Sequence, residues 1–204
     1  MDNKKLDRQF YQTDAVEAAK RLIGKILVHK TCEGVLKGRI VEAEAYKGPF
    51  DKAAHAYNHK GREGRTAVLY RQGGFAYVFL IYGMYNCFNV SVAGEGSPEC
   101  VLIRALEPVE GLEQMKKNRN TDKVRNLCSG PGKLCLAMKI NKNCYGLDLC
   151  GDELYLETDG IDYSDMVEVS KRINIDYAEE AADYLWRFTL KGNGFISVKN
   201  NKKR

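Results

Sequence analysis

The run Arg39-Ile40-Val41-Glu42-Ala43-Glu44-Ala45-Tyr46 is the most unusual stretch of the chain. In a strand, alternation puts Glu42, Glu44 and Tyr46 on one face and Val41, Ala43 and Ala45 on the other. Two carboxylates among small apolar residues are costly if buried, and their mutual repulsion can raise a pKa towards the range useful for proton transfer. The plainer account is a solvated face. Two residues along a strand separate the two carboxylates by about 7 Å, within the range of an acid/base pair in an inverting sugar hydrolase. His55 follows Tyr46 by nine positions, and Tyr77, Phe79, Tyr82 and Tyr85 crowd one aromatic stretch. Tyr77 and Phe79 fit ordinary sheet packing. Tyr82, beside Gly83 and Met84, falls at a hairpin tip, where an aromatic has no core to enter and can act as a wedge between bases. A non-catalytic nucleic-acid binder using the same rings as a stacking platform is the alternative.

Other chemistries find less support. The seven cysteines are odd in number and form no C-x-x-C pair, and the three histidines form no ligand cluster, which argues against a zinc site or a disulfide framework. No cofactor is expected. Ser129-Gly130-Pro131-Gly132-Lys133 lacks the spacing of a nucleotide-binding P-loop, although a helix starting there could meet a phosphate. Lys116-Lys117-Asn118-Arg119 and Lys202-Lys203-Arg204 read as solvated charge.

The elements that must hold these residues follow from the pattern. Asp14 and Glu17 form a capping pair for a helix with Val16, Ala19, Leu22 and Ile23 inward, stopped at Gly24. Residues 25–30 and 35–46 read as strands turning at Glu33-Gly34. A polar stretch from Lys47 to Arg65 is long for a connection, and such loops are often functional. Residues 75–82 and 85–92 form a hairpin. A strand at 101–106 leads to a helix expected from Pro108 to Arg119 with Leu112 and Met115 inward, then a short helix carrying Leu134, Ala137 and Met138. Strands are expected at 153–157, 166–170 and 185–190, and the tail from Lys199 to Arg204 should fray. Strands with interspersed helices indicate an α+β fold.

The chain has 204 residues, 44% hydrophobic and 29% charged, with a formal charge of +5. This is one globular domain, spanning 1–204, with a mild basic excess that permits a polyanionic partner. No apolar run spans a bilayer, and no targeting segment is visible at the N-terminus, so a cytoplasmic protein with free thiols and no membrane partner is expected.

With these residues in view, the chain resembles the alkyladenine (3-methyladenine, or methylpurine) DNA glycosylase family. The resemblance rests on ordered blocks: Arg39 to Tyr46; Gly48-Pro49, Asp51 and Ala53-Ala54-His55; Tyr77-Val-Phe-Leu-Ile-Tyr82-Gly-Met-Tyr85 with Cys87 and Asn89; Val101-Leu-Ile-Arg104-Ala-Leu-Glu-Pro108; and Leu127-Cys-Ser-Gly-Pro-Gly-Lys-Leu134. It extends from about Leu22 to Val198.

The resemblance implies one α+β domain around a curved, mostly antiparallel sheet, with flanking helices and a protruding hairpin that inserts into DNA. Glu44 matches the carboxylate that activates water, with Arg104 and the backbone carbonyl of Ile173 holding that water. Tyr46, His55 and Phe79 match the rings that stack an extruded purine; Phe79 stands where tyrosine is common. Asn89 matches the residue that crowds the purine 2-position. Tyr82, with Gly83 and Met84 beside it, matches the intercalating tip. The implied activity is a monofunctional glycosylase, acting as a monomer on double-stranded DNA that contains alkylated or deaminated purines. It would leave an abasic site, with no metal.

Overall fold

The computed structural model describes residues 4–198. The basic tail expected to fray lies outside the described residues. The fold is α+β, a compact domain around one open antiparallel sheet. Its strands are β1 (Lys4–Lys5), β2 (Ile26–Thr31), β3 (Gly34–Tyr46), β4 (Ala76–Ile81), β5 (Tyr85–Val92), β6 (Glu99–Glu110), β7 (Leu154–Thr158), β8 (Val167–Ser170) and β9 (Arg187–Leu190). They run in the order β1-β7-β2-β3-β6-β5-β4, with β9 joining β3 and β8. The 13-residue β3 is the hub. It pairs with β2 through its first half, with β9 at Glu42–Glu44, and with β6 along its length.

Helix α1 (Ala15–Leu22) starts where expected. The Asp14 carboxylate accepts from the backbone N–H groups of Val16 (2.9 Å) and Glu17 (3.3 Å), satisfying two donors that a helix start leaves open. Glu99 adds a third such bond, at 2.8 Å to Ala15 N. Ala15, Ala18, Ala19 and Leu22 bury against the sheet, while Val16 is only half-buried. The expected turn into β3 falls one residue early, at Cys32-Glu33.

The helix expected from Pro108 is corrected. Pro108 and Val109 belong to β6, which stays paired with β3 as far as Glu110. Beyond Leu102, β6 has left β5; its second edge meets only Cys128 and Ser129, at Leu106 and Ala105, and no strand pairs there at Pro108, so a proline is tolerated. Helix α2 (Leu112–Arg119) begins only after Gly111, whose φ of 80° ends the strand. Met115 is buried as expected, but Leu112 is exposed. Helix α3 (Pro131–Ala137) opens on proline, with Leu134, Cys135 and Ala137 inward.

Alternation along β3 is interrupted once. Ile40 faces Leu106, Glu42 faces Ala105 and Ala43 faces Ile103, so Val41 on β3 and Arg104 on β6 have no opposite number. These two bulges cancel in register and re-aim side chains in the middle of the sheet. One face of the sheet carries the main core with α1, α2 and α3. The other carries three small clusters: Ile26, Val28 and Tyr155 at one end, then Ala56, Val68, Leu69, Phe75, Tyr77 and Cys100, and Ala53, Ile175, Ala178 and Ala181. Tyr46 packs against the last two.

Candidate active site

Between the two clusters that Tyr46 touches lies a cavity of about 490 Å³. Its wall draws on the C-terminal half of β3 and on β4, β5 and β6, on the N-terminus of α3, and on loops 53–56 and 173–177. Tyr46, His55, Phe79, Asn89, Arg104 and Ile173, separated by up to 127 positions in sequence, all line it. Tyr82 lines its mouth; Gly83 and Met84 do not. The volume is that of a small-molecule pocket.

The carboxylates are not on a solvated face. Glu42 and Glu44 are both fully buried. Glu44 sits one layer behind the cavity wall, held by three groups that form that wall. Its Oε2 accepts from the Tyr46 hydroxyl (2.9 Å) and Arg104 Nη1 (3.3 Å), and its Oε1 accepts from Ile173 N (2.8 Å). The Ile173 backbone thus meets Glu44 through its N–H. Arg104, set by the bulge, spans both acids, with its Nε 3.1 Å from Glu42 Oε1. Glu42 takes further bonds from Arg187 Nε (2.8 Å), Ser197 N (2.5 Å) and Ser197 Oγ (2.9 Å). The two carboxylates therefore share a cation instead of confronting each other. Burial opposes the Arg104 charge, but Glu44 and Glu42 outweigh it and raise its pKa. Burial, with Glu44 next, pushes the Tyr46 phenol far up, so Tyr46 remains a donor.

His55 is half-buried and lies edge-on to Phe79, with ring centres 4.4 Å apart. Its Nδ1 is 2.8 Å from the Tyr77 hydroxyl. Burial, reinforced by Arg65, lowers its pKa to about 4, so the ring is neutral at pH 7. Burial holds the Tyr77 phenol protonated. Asn89 is buried and donates to Tyr77 O at 3.0 Å, which fixes its amide at the wall.

Three residues with no role assigned from sequence also shape the site. Tyr77 packs in the sheet as expected and also lines the cavity and orients His55. Asp51 and Arg172 form a fully buried pair, Nη1–Oδ2 2.5 Å and Nη2–Oδ1 2.8 Å, that joins the loop before His55 to the segment carrying Ile173. An acid two positions before Ala53 in a polar loop, and an arginine just after a strand, gave no pattern that links them.

Comparison with known proteins is decisive for the family. The sequence profile described as methylpurine-DNA glycosylase (MPG) matches residues 9–194. The chain belongs to the methylpurine-DNA glycosylase family. It is a DNA-repair enzyme of the class that hydrolyses N-glycosidic bonds, and DNA is its substrate. Among similar proteins, one from Clostridium novyi (strain NT), named "Putative 3-methyladenine DNA glycosylase", is 48% identical over 206 residues, covering 96% of this chain and 100% of its own. A namesake from Alkaliphilus oremlandii is 50% identical over 203 residues, covering 96% of this chain and 100% of its own. Another from Bacillus cereus is 50% identical over 201 residues, covering 93% and 97%.

In this glycosylase the β4–β5 hairpin carries an apolar tip. Ile81 pairs with Tyr85, leaving Tyr82, Gly83 and Met84 as the turn, with Tyr82 at φ 53°. Tyr82 is 75% and Met84 66% exposed, and Leu80 and Tyr85 are exposed beside them. Gly132 of α3 packs under the Tyr85 ring, where a Cβ would come within 3.1 Å. The hairpin is thereby held against α3 right beside its tip. All seven cysteines are free. Among the described residues no helix is long and apolar enough to cross a membrane.

Proposed function

We propose that the chain extrudes alkylated or deaminated purines from duplex DNA into the cavity and hydrolyses their N-glycosidic bond, leaving an abasic site. The observation that carries this reading is the position of Glu44, a buried carboxylate whose three donors, Tyr46, Arg104 and Ile173, are wall groups of a base-sized cavity. A glycosidic bond inside a duplex is out of reach, so the nucleotide must leave the stack at a cost of a few kcal/mol. Tyr82, exposed at the tip, fills the gap. Tyr46, His55 and Phe79 stack the base, each contact worth on the order of 1–3 kcal/mol. Asn89, with its amide fixed, crowds one edge of the base.

A carboxylate offers about four acceptor directions. Three are taken by the wall, leaving one for a water that enters between Tyr46, Arg104 and Ile173. As the C1′–N bond breaks, its electron pair leaves with the purine and positive charge builds on the sugar. Glu44 stabilises that charge and accepts the proton of the water whose oxygen bonds to C1′. Arg104 keeps Glu44 aimed. Lys133, the lysine of the cavity lining, is exposed on the rim, so no covalent lyase step is assigned. The protein acts as a monomer on double-stranded DNA, in a reducing cytoplasm that suits its free thiols.

The two-carboxylate sugar hydrolase is disfavoured because four donors occupy Glu42. A purely stacking binder would have no use for a buried acid behind its platform.

The test is base release from duplexes that each carry one 3-methyladenine, 7-methylguanine, hypoxanthine or ethenoadenine, beside an undamaged control. Release from a lesion duplex, with strand scission only after alkali, supports the reading. No release, or scission without alkali, contradicts it.

A further inference from the structure

Tyr46 is the ring that touches both Glu44 and the cavity, and its surroundings are unusual for a base platform. The Arg172 guanidinium carbon lies 4.7 Å from the Tyr46 ring centre and 5.1 Å from that of Trp186. The Arg172 side chain is fully buried. Its Nη1 donates to Ala45 O (2.9 Å) and Asp51, and its Nη2 to Asp51 and Ala181 O (3.1 Å). Its Nε has no hydrogen-bond acceptor. The electron-rich neighbours left to that N–H are the two ring faces, so the attraction between cation and ring is part of how this charge is accommodated. Tyr46 lines the cavity and Arg172 does not, so the ring on which a base would stack is also the ring that the guanidinium packs against.

The charges behind the wall also cancel. Glu42, Glu44 and Asp51 are buried with Arg104, Arg172 and Arg187. His55 adds no charge at neutral pH. These six groups therefore carry no net charge together, and the ring on which a cationic base would stack already serves one cation.

We propose that Arg172 is a specificity-determining, positioning residue: its fixed positive charge against Tyr46 cancels the attraction that ring would offer a cationic purine, and the site takes neutral damaged purines as readily as cationic ones. This rests on the base-excision reading above. The same guanidinium positions the platform, because it ties Tyr46, the Asp51 loop and the residue next to Ile173 into one unit.

The test compares affinity for two duplexes, one with 7-methyladenine, a cation, and one with 7-deaza-7-methyladenine, its neutral isostere. Both are placed on a 2′-fluoro sugar that resists hydrolysis. The wild-type protein should bind the two within about threefold, and Arg172→Lys, which keeps the charge, should keep that ratio. The Asp51→Asn/Arg172→Gln double variant, which removes both members of the buried pair together, should shift the ratio towards the cation by at least about fivefold, the scale of a cation–π contact out of water. A wild-type preference for the cation above tenfold overturns the proposal without recourse to any variant. So does equal weakening of both complexes in the double variant, the outcome of a merely structural role. If the wild-type protein bound neither lesion duplex better than undamaged DNA, the failure would be that of the base-excision reading itself.

Discussion

Replacing Glu42 by glutamine separates the two acids of β3. Glu42 lies between two buried arginines and also accepts from the Ser197 backbone and hydroxyl. Glutamine has the same length but one acceptor oxygen and no charge, and its amide donors would face N–H groups. Removing one partner of a buried ion pair costs about 3–5 kcal/mol. The lower figure applies because Arg104 keeps Glu44 and Arg187 keeps the Ser170 hydroxyl at 2.9 Å. For a chain of this size each kcal/mol lowers Tm by about 2–4 °C, so Glu42→Gln should melt about 6–12 °C lower. Below its melting temperature it should release base with kcat within about tenfold of wild type, since Glu44 and its wall contacts persist. Thermal unfolding followed by circular dichroism, with single-turnover base release at 20 °C or so, reads both quantities. An unchanged Tm with base release abolished would refute this assignment and revive a mechanism in which both carboxylates do chemistry.

Two further outcomes follow from the same geometry. Tyr82→Ala removes an exposed ring and should leave stability unchanged within about 0.5 kcal/mol. It should weaken lesion-specific binding by tenfold or more and spare the salt-dependent binding to undamaged DNA, both read by fluorescence anisotropy; parallel loss of both would rule out the wedge. His55 has its pKa lowered from 6.5 to about 4 by burial and Arg65. As pH falls below 6.5 the unfolded chain takes up this proton before the native one does. Stability relative to His55→Gln should therefore fall between pH 6.5 and 4, by up to about 2 kcal/mol after allowance for the partial exposure of the ring. Urea titrations at intervals of half a pH unit measure the difference, and identical pH profiles for the two proteins would contradict the assigned environment.

Much of this site was legible because its parts sit on strongly patterned elements. Period-2 alternation alone put Glu44 and Tyr46 on one face, and they are hydrogen-bonded to each other. The Asp14 cap and the hairpin ending at Tyr82 were readable from local chemistry. The reach of β6 was not. Pro108 and Val109 looked like a helix start, and only pairing with β3 across some 70 positions holds them extended. The burial of Glu42 and Glu44 was equally hidden, because it depends on Arg104 at a bulge and on β9, neither of which local pattern announces. Likewise Arg172 and Asp51, 121 positions apart, form one buried pair through tertiary packing alone.

The most direct measurement is single-turnover release of hypoxanthine or 3-methyladenine from duplex DNA by Glu44→Gln. Arg104 retains Glu42 in this variant, so the protein should fold and bind lesion duplex normally. Loss of the group that takes the proton from water should slow base release by about 10³-fold or more. Release within tenfold of wild type, from a folded variant, would place the chemistry on another residue and contradict the account.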